Sequence, residues 1–207
     1  MMLPMPEKPH AEYAQRNAGP ILEVLRHELE GHSDVLEIGS GTGQHAIRFA
    51  AELIDVEWQT SDLDDNHEGI RSWIADAALP NVHAPLSLDV TKAELAGASY
   101  DAVYSSNTAH IMSQGAVDAM FRLVGRVLRP HGVFVLYGPF RRAGRFNTQS
   151  NADFDASLRS RDPAMGIRDL DALDNLGAEN GLQRVNLYAV PSNNLVAVWQ
   201  KTLASAQ

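Results

Sequence analysis

The chain has 207 residues, of which 44% are apolar and 21% charged, a size and balance that suit one domain with a core of its own and exclude wholesale disorder. A formal charge of −9 repels phosphate backbones and acidic membrane surfaces, so the expected partner is a small molecule and not nucleic acid or membrane. The absence of cysteine removes disulfides, thiolate metal sites and thiol nucleophiles together, and no metal is expected.

No run approaches the ~20 apolar residues of a membrane span. The start, Met1 to Pro9, is Pro-rich and lacks a basic n-region followed by an apolar h-region, so no secretory signal is read there and a cytoplasmic location is expected. Pro20 to Leu29 reads as a helix, with Pro20 in its first turn, Ile21, Leu22, Leu25 and Leu29 along one side, and Gly31 at its end. Asp34 to Ile38 is a strand. Ala46, Phe49, Ala50 and Leu53 then repeat at helical spacing. A second strand spans Val56 to Ser61 and meets Asp62, a helix follows over Ile70 to Ala78, and a third strand, Ala84 to Leu88, ends at Asp89. Asp101 to Ser106 is the fourth strand. Val117, Met120, Phe121, Val124 and Leu128 mark a helix, Arg129-Pro130-His131-Gly132 breaks it, and Gly132 to Tyr137 is an apolar fifth strand.

The stretch from Pro139 to Arg168 departs from the alternation and is too long for an ordinary connection, while its aromatics Phe140, Phe146 and Phe154 argue against disorder. A helix over Asp169 to Asn180 follows. Strands Gln183 to Val190 and Asn194 to Gln200, joined by Pro191-Ser192-Asn193, close the chain as an antiparallel hairpin. Strands alternating with helices specify an α/β fold with a doubly wound, mostly parallel seven-stranded sheet.

The densest signal lies after the first strand, where Glu37-Ile38 runs into Gly39-Ser40-Gly41-Thr42-Gly43 and then a helix. Glycines there let the backbone turn tightly and approach a ligand, and the helix start offers unpaired N–H groups, an arrangement that takes a nucleoside-bearing cofactor. A dinucleotide turn, G-x-G-x-x-G, would need glycine at position 44. The chain has Gln44, with its third glycine at Gly43, so an NAD(P)-dependent oxidoreductase is the weaker alternative. Asp62 stands about 20 residues past the turn, where an acid can accept from two ribose hydroxyls.

The displaced third glycine resembles motif I of the class I methyltransferases that use S-adenosylmethionine (SAM). That resemblance implies that Glu37 supports the methionine end of the cofactor and that the glycines pass beneath its ribose. It implies also that Asp89 accepts from the adenine amino group while the Val90 N–H meets a ring nitrogen. Asn107 to His110 resembles motif IV of small-molecule methyltransferases and lacks the Asn/Asp-Pro-Pro-Tyr turn of enzymes that methylate base amines. Asn17, Ser40, Leu63 and Asn107 complete the expected cofactor set.

Over nearly the whole chain, Ala11 to Leu22, Gly39 to His45, Leu136 to Phe140 and Ser150 to Arg159 resemble the small methyltransferase-like family long catalogued as a domain of unknown function. This implies a Rossmann-like class I methyltransferase domain over 1–207, with 1–30 as an N-terminal lid and helix and 139–168 as an acceptor-side insertion. Members carry a tryptophan shortly after the motif IV histidine, where this chain has Ile111-Met112-Ser113-Gln114.

The expected activity is methyl transfer from SAM, leaving S-adenosylhomocysteine, to a small anionic acceptor; a non-catalytic SAM-binding protein is the other alternative. Six arginines, Arg141, Arg142, Arg145, Arg159, Arg161 and Arg168, suit a carboxylate or phosphate on that acceptor if they are not merely a solvated face. Arg16, His110, Tyr137, Arg141, Asn151, Phe154 and Arg159 are the candidate acceptor contacts. A hydroxyl or ammonium acceptor needs a base, for which His110 and Tyr137 are the catalytic candidates; a carboxylate, thiolate or neutral amine needs none. His110 is equally readable as a packed residue orienting its loop, and Tyr137 as core. The acceptor atom and the oligomeric state are not readable.

Overall fold

A computed structural model describes residues 8–203; the Pro-rich start up to residue 7 lies outside the described residues. Seven strands form one sheet in the order β3-β2-β1-β4-β5-β9-β8. They are β1 (Asp34–Ile38), β2 (Glu57–Asp62), β3 (Val82–Ser87), β4 (Tyr100–Ser106), β5 (Leu128–Gly138), β8 (Leu182–Val190) and β9 (Asn194–Lys201). All neighbours are parallel except β9, which runs antiparallel to both β5 and β8. The winding reverses between β1 and β4, so their carboxyl ends, at Gly39 and Asn107, flank the crevice where open sheets of this kind bind ligands.

Strand pleating sorts the core into two layers. On β5, Val133, Val135 and Tyr137 face one layer with Ile21, Leu25, Phe49 and Trp58, while Phe134 and Leu136 face the other with Phe121 and Trp199. Helices α1 (Glu12–Glu28) and α2 (Gln44–Ala50) contribute to the first layer, and α4 (Gln114–Val127) and α6 (Leu170–Glu179) to the second. Helix α3 (His67–Ala77) packs on the β3 side.

Two expectations require correction. Helix α1 begins at Glu12 and not at Pro20, which sits in its interior without an N–H to donate. Burial of Ala14 and Ala18 on the face that holds Ile21, Leu22 and Leu25 offsets that loss, and the Ala11 N–H at the helix start is bonded to Gln44 Oε1 at 2.6 Å. Strand β5 begins at Leu128, because residues 129–132 form a bulge in the strand and not a break: the register passes from Tyr100↔Leu128 to Ala102↔Val133. Gly132 fits there for want of a Cβ, which would lie 2.7 Å from the Asp101 carbonyl.

The stretch from Pro139 to Arg168 holds a helix, α5 (Gln149–Arg161), between two-residue strands β6 (Phe140–Arg141) and β7 (Arg168–Asp169) that pair with each other. Thr148 caps α5 by accepting from the Asn151 N–H. The buried positions of α5 are Asn151, Asp155 and Leu158, which have helical spacing but only one apolar member, so no amphipathic pattern announces it.

Candidate functional site

Gly39, Gly41 and Gly43 all have positive φ, at +74°, +58° and +88°. The three differ in what surrounds them. A Cβ on Gly39 would lie 2.6 Å from Thr108 Cγ2, and one on Gly43 would lie 3.1 Å from the Ile70 backbone; a Cβ on Gly41 would meet nothing within 4 Å. Gly39 and Gly43 therefore let the turn seat against the loop after β4 and against α3, while Gly41 borders open space. Asp62, buried at the end of β2, ties the turn from below: its Oδ2 accepts from the Gly41 N–H at 2.6 Å, and its Oδ1 from the Leu63 N–H at 2.7 Å and Asn66 Nδ2 at 2.9 Å.

Glu37 is 2% exposed and accepts from Ser40 Oγ at 2.8 Å and Trp58 Nε1 at 3.1 Å, both on Oε2. Burial lifts its carboxyl to about 7, against the partial relief of those two donors. Beyond β3, Asp89 accepts from the Thr91 N–H and hydroxyl and pairs with Lys92, and these contacts hold it down at about 2. The β3 end is fastened to the β2 end by Leu88 N–H donating to the Asp62 carbonyl at 2.9 Å. Leu63 leaves its side chain 55% exposed beside Asp62, and Val90 is half-buried against the second core layer. Two acids at successive strand ends, an exposed apolar side chain between them and an open backbone cradle at Gly41 are a donor and surface set that fits a nucleoside.

The second half of the site opens beyond β4 and β5. Asn107, at φ +58°, donates its N–H to the Tyr137 carbonyl at 2.9 Å, and Ser105 Oγ binds both Thr108 Oγ1 and the Ile38 carbonyl, joining the β4 and β1 ends. A cleft of about 720 Å³ lies there. It is walled by Arg16, Asn17 and Pro20 of α1, by Asn107, His110 and Ile111, by Tyr137 and Pro139, by Asn151, Phe154, Leu158 and Arg161 of α5, and by the β8–β9 turn. Asn151 Nδ2 donates to the Asn193 carbonyl at 3.2 Å, which clamps α5 to that turn.

His110 is buried edge-on to the Phe154 ring, 5.4 Å between centroids at 70°. Desolvation, with Arg168 and Arg161 nearby, pushes its pKa down to about 4, so it is neutral near pH 7. Burial raises the Tyr137 hydroxyl, whose oxygen accepts from Asn194 Nδ2 at 2.8 Å and interacts with the Asn17 amide. Asn17 Oδ1 is in turn 2.7 Å from His45 Nε2.

The structure brings the expected acceptor contacts Arg16, His110, Tyr137, Asn151 and Phe154 into one cleft, and it sets Asn17 there rather than on the glycine turn. Arg141 and Arg159 do not line it: Arg141 lies over the Phe146 ring, and Arg159 is held by Asp155 at 2.8 Å. Arg168 is buried and anchors the loop after β4, donating to the Ala109 carbonyl at 2.9 Å and to that of Met112. Of the six arginines, Arg161 alone borders the cleft. Tyr13, Asn194 and His45 lie outside the candidates read from the sequence, Ile111 enters there only as the place of a missing tryptophan, and Arg161 only as one of the six arginines. His45 adjoins the glycine turn, and its place two residues after Gly43 is the one local signal that could have drawn attention to it. Among the described residues no group of three or more His, Asp or Glu could hold a metal, and no helix is long and apolar enough to cross a membrane.

A sequence model of the family described as "Protein of unknown function (DUF938)" matches residues 8–201. Among solved structures, an O-methyltransferase family protein from Burkholderia thailandensis superposes with a TM-score of 0.78 at 13% identity, over 92% of this chain and 58% of the other. Human N-acetylserotonin methyltransferase in complex with SAM superposes with a TM-score of 0.78 at 12% identity, over 93% and 53%. The chain thus spans little more than half the length of these two proteins. The YcgJ protein from Bacillus subtilis is matched over its whole length, 92% of this chain and 100% of the other, with a TM-score of 0.71 at 16% identity. At such identities the likeness is one of fold: the chain has the Rossmann-like fold of methyltransferases.

Proposed function

Because the chain belongs to the DUF938 family of proteins of unknown function and carries a methyltransferase fold, we propose that it is a SAM-dependent methyltransferase acting on a small anionic molecule. The observation that carries the proposal is the open cradle at Gly41, set between two tightly packed glycines and directly above the Asp62 carboxylate. SAM, when bound, supplies a methyl group on a cationic sulfur, to which an acceptor lone pair bonds as the carbon–sulfur bond breaks and its electron pair passes to sulfur.

The residues of the chain hold, orient and desolvate. A carboxylate offers about four lone-pair sites; Asp62 uses three on Gly41, Leu63 and Asn66, so a ribose hydroxyl takes the remaining one or displaces Asn66. Glu37, whose two donors both sit on Oε2, has Oε1 for a cationic amino group. Asp89, Val90 and Leu63 would hold the adenine. The cleft beside Asn107 receives the acceptor, with Arg16 and Arg161 as its cations, and alignment with exclusion of water supplies most of the rate. With His110 neutral and the Tyr137 hydroxyl raised, an acceptor that is already an anion suits the site, since it attacks without first losing a proton.

Calorimetric titration of the whole chain with SAM, S-adenosylhomocysteine and NAD tests this. Both sulfur-bearing nucleosides are expected to bind and NAD not to; binding of NAD alone refutes it. A gain of one methyl on a metabolite pool incubated with protein and SAM, read by mass spectrometry, separates an enzyme from a protein that only binds.

A further inference from the structure

Helix α5 is built the wrong way round for burial. Its buried positions are Asn151 and Asp155 beside Leu158, whereas Phe154, its largest apolar side chain, is 37% exposed. Buried polar groups and exposed apolar patches are the informative departures from the hydrophobic rule, and α5 shows both kinds. Anchoring accounts for the polar pair. Asn151 Nδ2 and Asn147 Nδ2 each donate to the Asn193 carbonyl at 3.2 Å, and Asp155 Oδ1 accepts from the Ile167 N–H at 2.7 Å. These bonds fix α5 to the β8–β9 turn and to the chain before β7, so the outward set of Phe154 is a built feature of the cleft wall.

The loop after β4 has the same character. Ile111 is 50% exposed, and its backbone is fastened on both sides: Arg168 donates to the carbonyls of Ala109 and Met112, and the Gly166 N–H donates to the His110 carbonyl at 2.9 Å. Tyr13, in the first turn of α1, is 54% exposed. Among the described residues seven large apolar side chains are exposed, and these three stand around one cleft. Single exposed apolar residues need no explanation, but a cluster on a concavity of about 720 Å³, within the size range of small-molecule sites, marks a binding groove. Polarity in this cleft runs opposite to depth: His110 and Asn151 are buried in its lining, while Tyr13, Ile111 and Phe154 meet solvent. A ligand that is polar throughout would leave those three faces wet.

We infer that the acceptor is amphipathic and is methylated at its polar end, its aromatic or alkyl body lying across Tyr13, Ile111 and Phe154 and closing the cleft over the reacting group. The inference rests on reading the cleft as the acceptor site, and it holds whatever the acceptor's charge. A lone pair at the polar end bonds the methyl carbon while the carbon–sulfur electron pair passes to sulfur. The apolar body contributes twice, since its own surface leaves water on binding and it excludes water from the transfer beneath it. Phe154 and Ile111 are then the residues that set how large a body the cleft accepts.

Two series of probes, titrated calorimetrically into the full chain saturated with S-adenosylhomocysteine, test the inference: acetate, butyrate, hexanoate and benzoate, and the neutral acetamide, butyramide, hexanamide and benzamide. Affinity is expected to rise within each series, approaching about fourfold for each methylene fully removed from water; benzoate against hexanoate tells a flat body from a chain. Phe154→Ala combined with Ile111→Ala, both at exposed positions, should flatten the rise in both series and leave S-adenosylhomocysteine affinity unchanged. Val185→Ala, at an exposed apolar residue of β8 outside the cleft, should leave the rise intact. No gain from acetate to hexanoate or benzoate, or a gain undiminished in the double variant, overturns the inference. So does probe affinity that falls as protein concentration rises, the mark of a second copy seated on the cleft. The charge of the acceptor is judged apart, by the offset between acids and amides of equal length: no offset refutes an anionic acceptor and leaves the amphipathic one standing. Failure of S-adenosylhomocysteine to bind sinks the cofactor reading, and the same titrations on the unliganded chain still judge the cleft.

Discussion

Replacing Glu37 by Gln gives a sharp test of how the cofactor end of the site is built. Burial raises this carboxyl from its ordinary 4.5 to about 7. At about 1.4 kcal/mol per pH unit, that rise amounts to about 3 kcal/mol of folding free energy. The sign follows from which state holds the proton. Below pH 4.5 both folded and unfolded chains are protonated there; between 4.5 and 7 the folded chain keeps a proton that the unfolded chain has lost; above 7 a bare charge is buried. The contribution of Glu37 is therefore most favourable below 4.5, declines as pH rises through that window, and levels off above it. Glutamine copies the protonated form and can still accept from Ser40 and Trp58. Urea unfolding of both proteins from pH 4 to 8 should give a difference near zero at pH 4 and a variant more stable by about 3 kcal/mol at pH 8, equivalent to roughly 6–12 °C in Tm for a chain this long. Taking the difference cancels the titration of other groups. A flat difference, or a variant less stable at pH 8, refutes the buried-carboxyl account. The same carboxyl should release a proton when a cationic amino group arrives, so the heat of S-adenosylhomocysteine binding near pH 6.5 should vary with buffer ionisation enthalpy for the parent and not for Glu37→Gln.

The glycines of the turn should separate folding from binding. Gly41→Ala incurs only the left-handed backbone cost of roughly 1–2 kcal/mol but fills the cradle and should abolish SAM binding, whereas Gly39→Ala adds a 2.6 Å clash with Thr108 and should lower Tm substantially further, by melting curves of the two side by side. Acid should unfold the protein through His45 and His110: both are held at about 4, so their stability is present above 6.5 and lost as pH falls toward 4, and His110→Gln should flatten that limb of the stability curve. Asp155→Ala should cost roughly 1–3 kcal/mol, because it strands the buried Ile167 N–H that Asp155 Oδ1 accepts at 2.7 Å, and should loosen α5 in hydrogen exchange without weakening S-adenosylhomocysteine binding.

What could be read in the sequence and what could not differ in the range of the contacts that carry them. The turn from Glu37 to Gly43 is legible because one short stretch supplies strand, acid, glycines and helix start; Asp62, Asp89 and Asn107 are legible because each follows an apolar strand in an alternating pattern whose ligand crevice is known to lie at the strand ends. Pro20 concealed the true start of α1, since the burial that sustains the helix through it is tertiary. Polar residues at the buried positions of α5 hid that helix altogether. The arginines misled for a related reason: charge composition does not tell Arg168, spent on loop carbonyls, from Arg161, which borders the cleft. The cleft beside Asn107 is assembled from partners far apart in the chain: Asn17 and His45 are 28 residues apart, Asn151 and Asn193 are 42, and Tyr137 and Asn194 are 57. No local pattern encodes such pairs. Each pair brings an amide to a partner that only the finished fold sets beside it, whereas the glycine turn and its acid lie within one short stretch of chain.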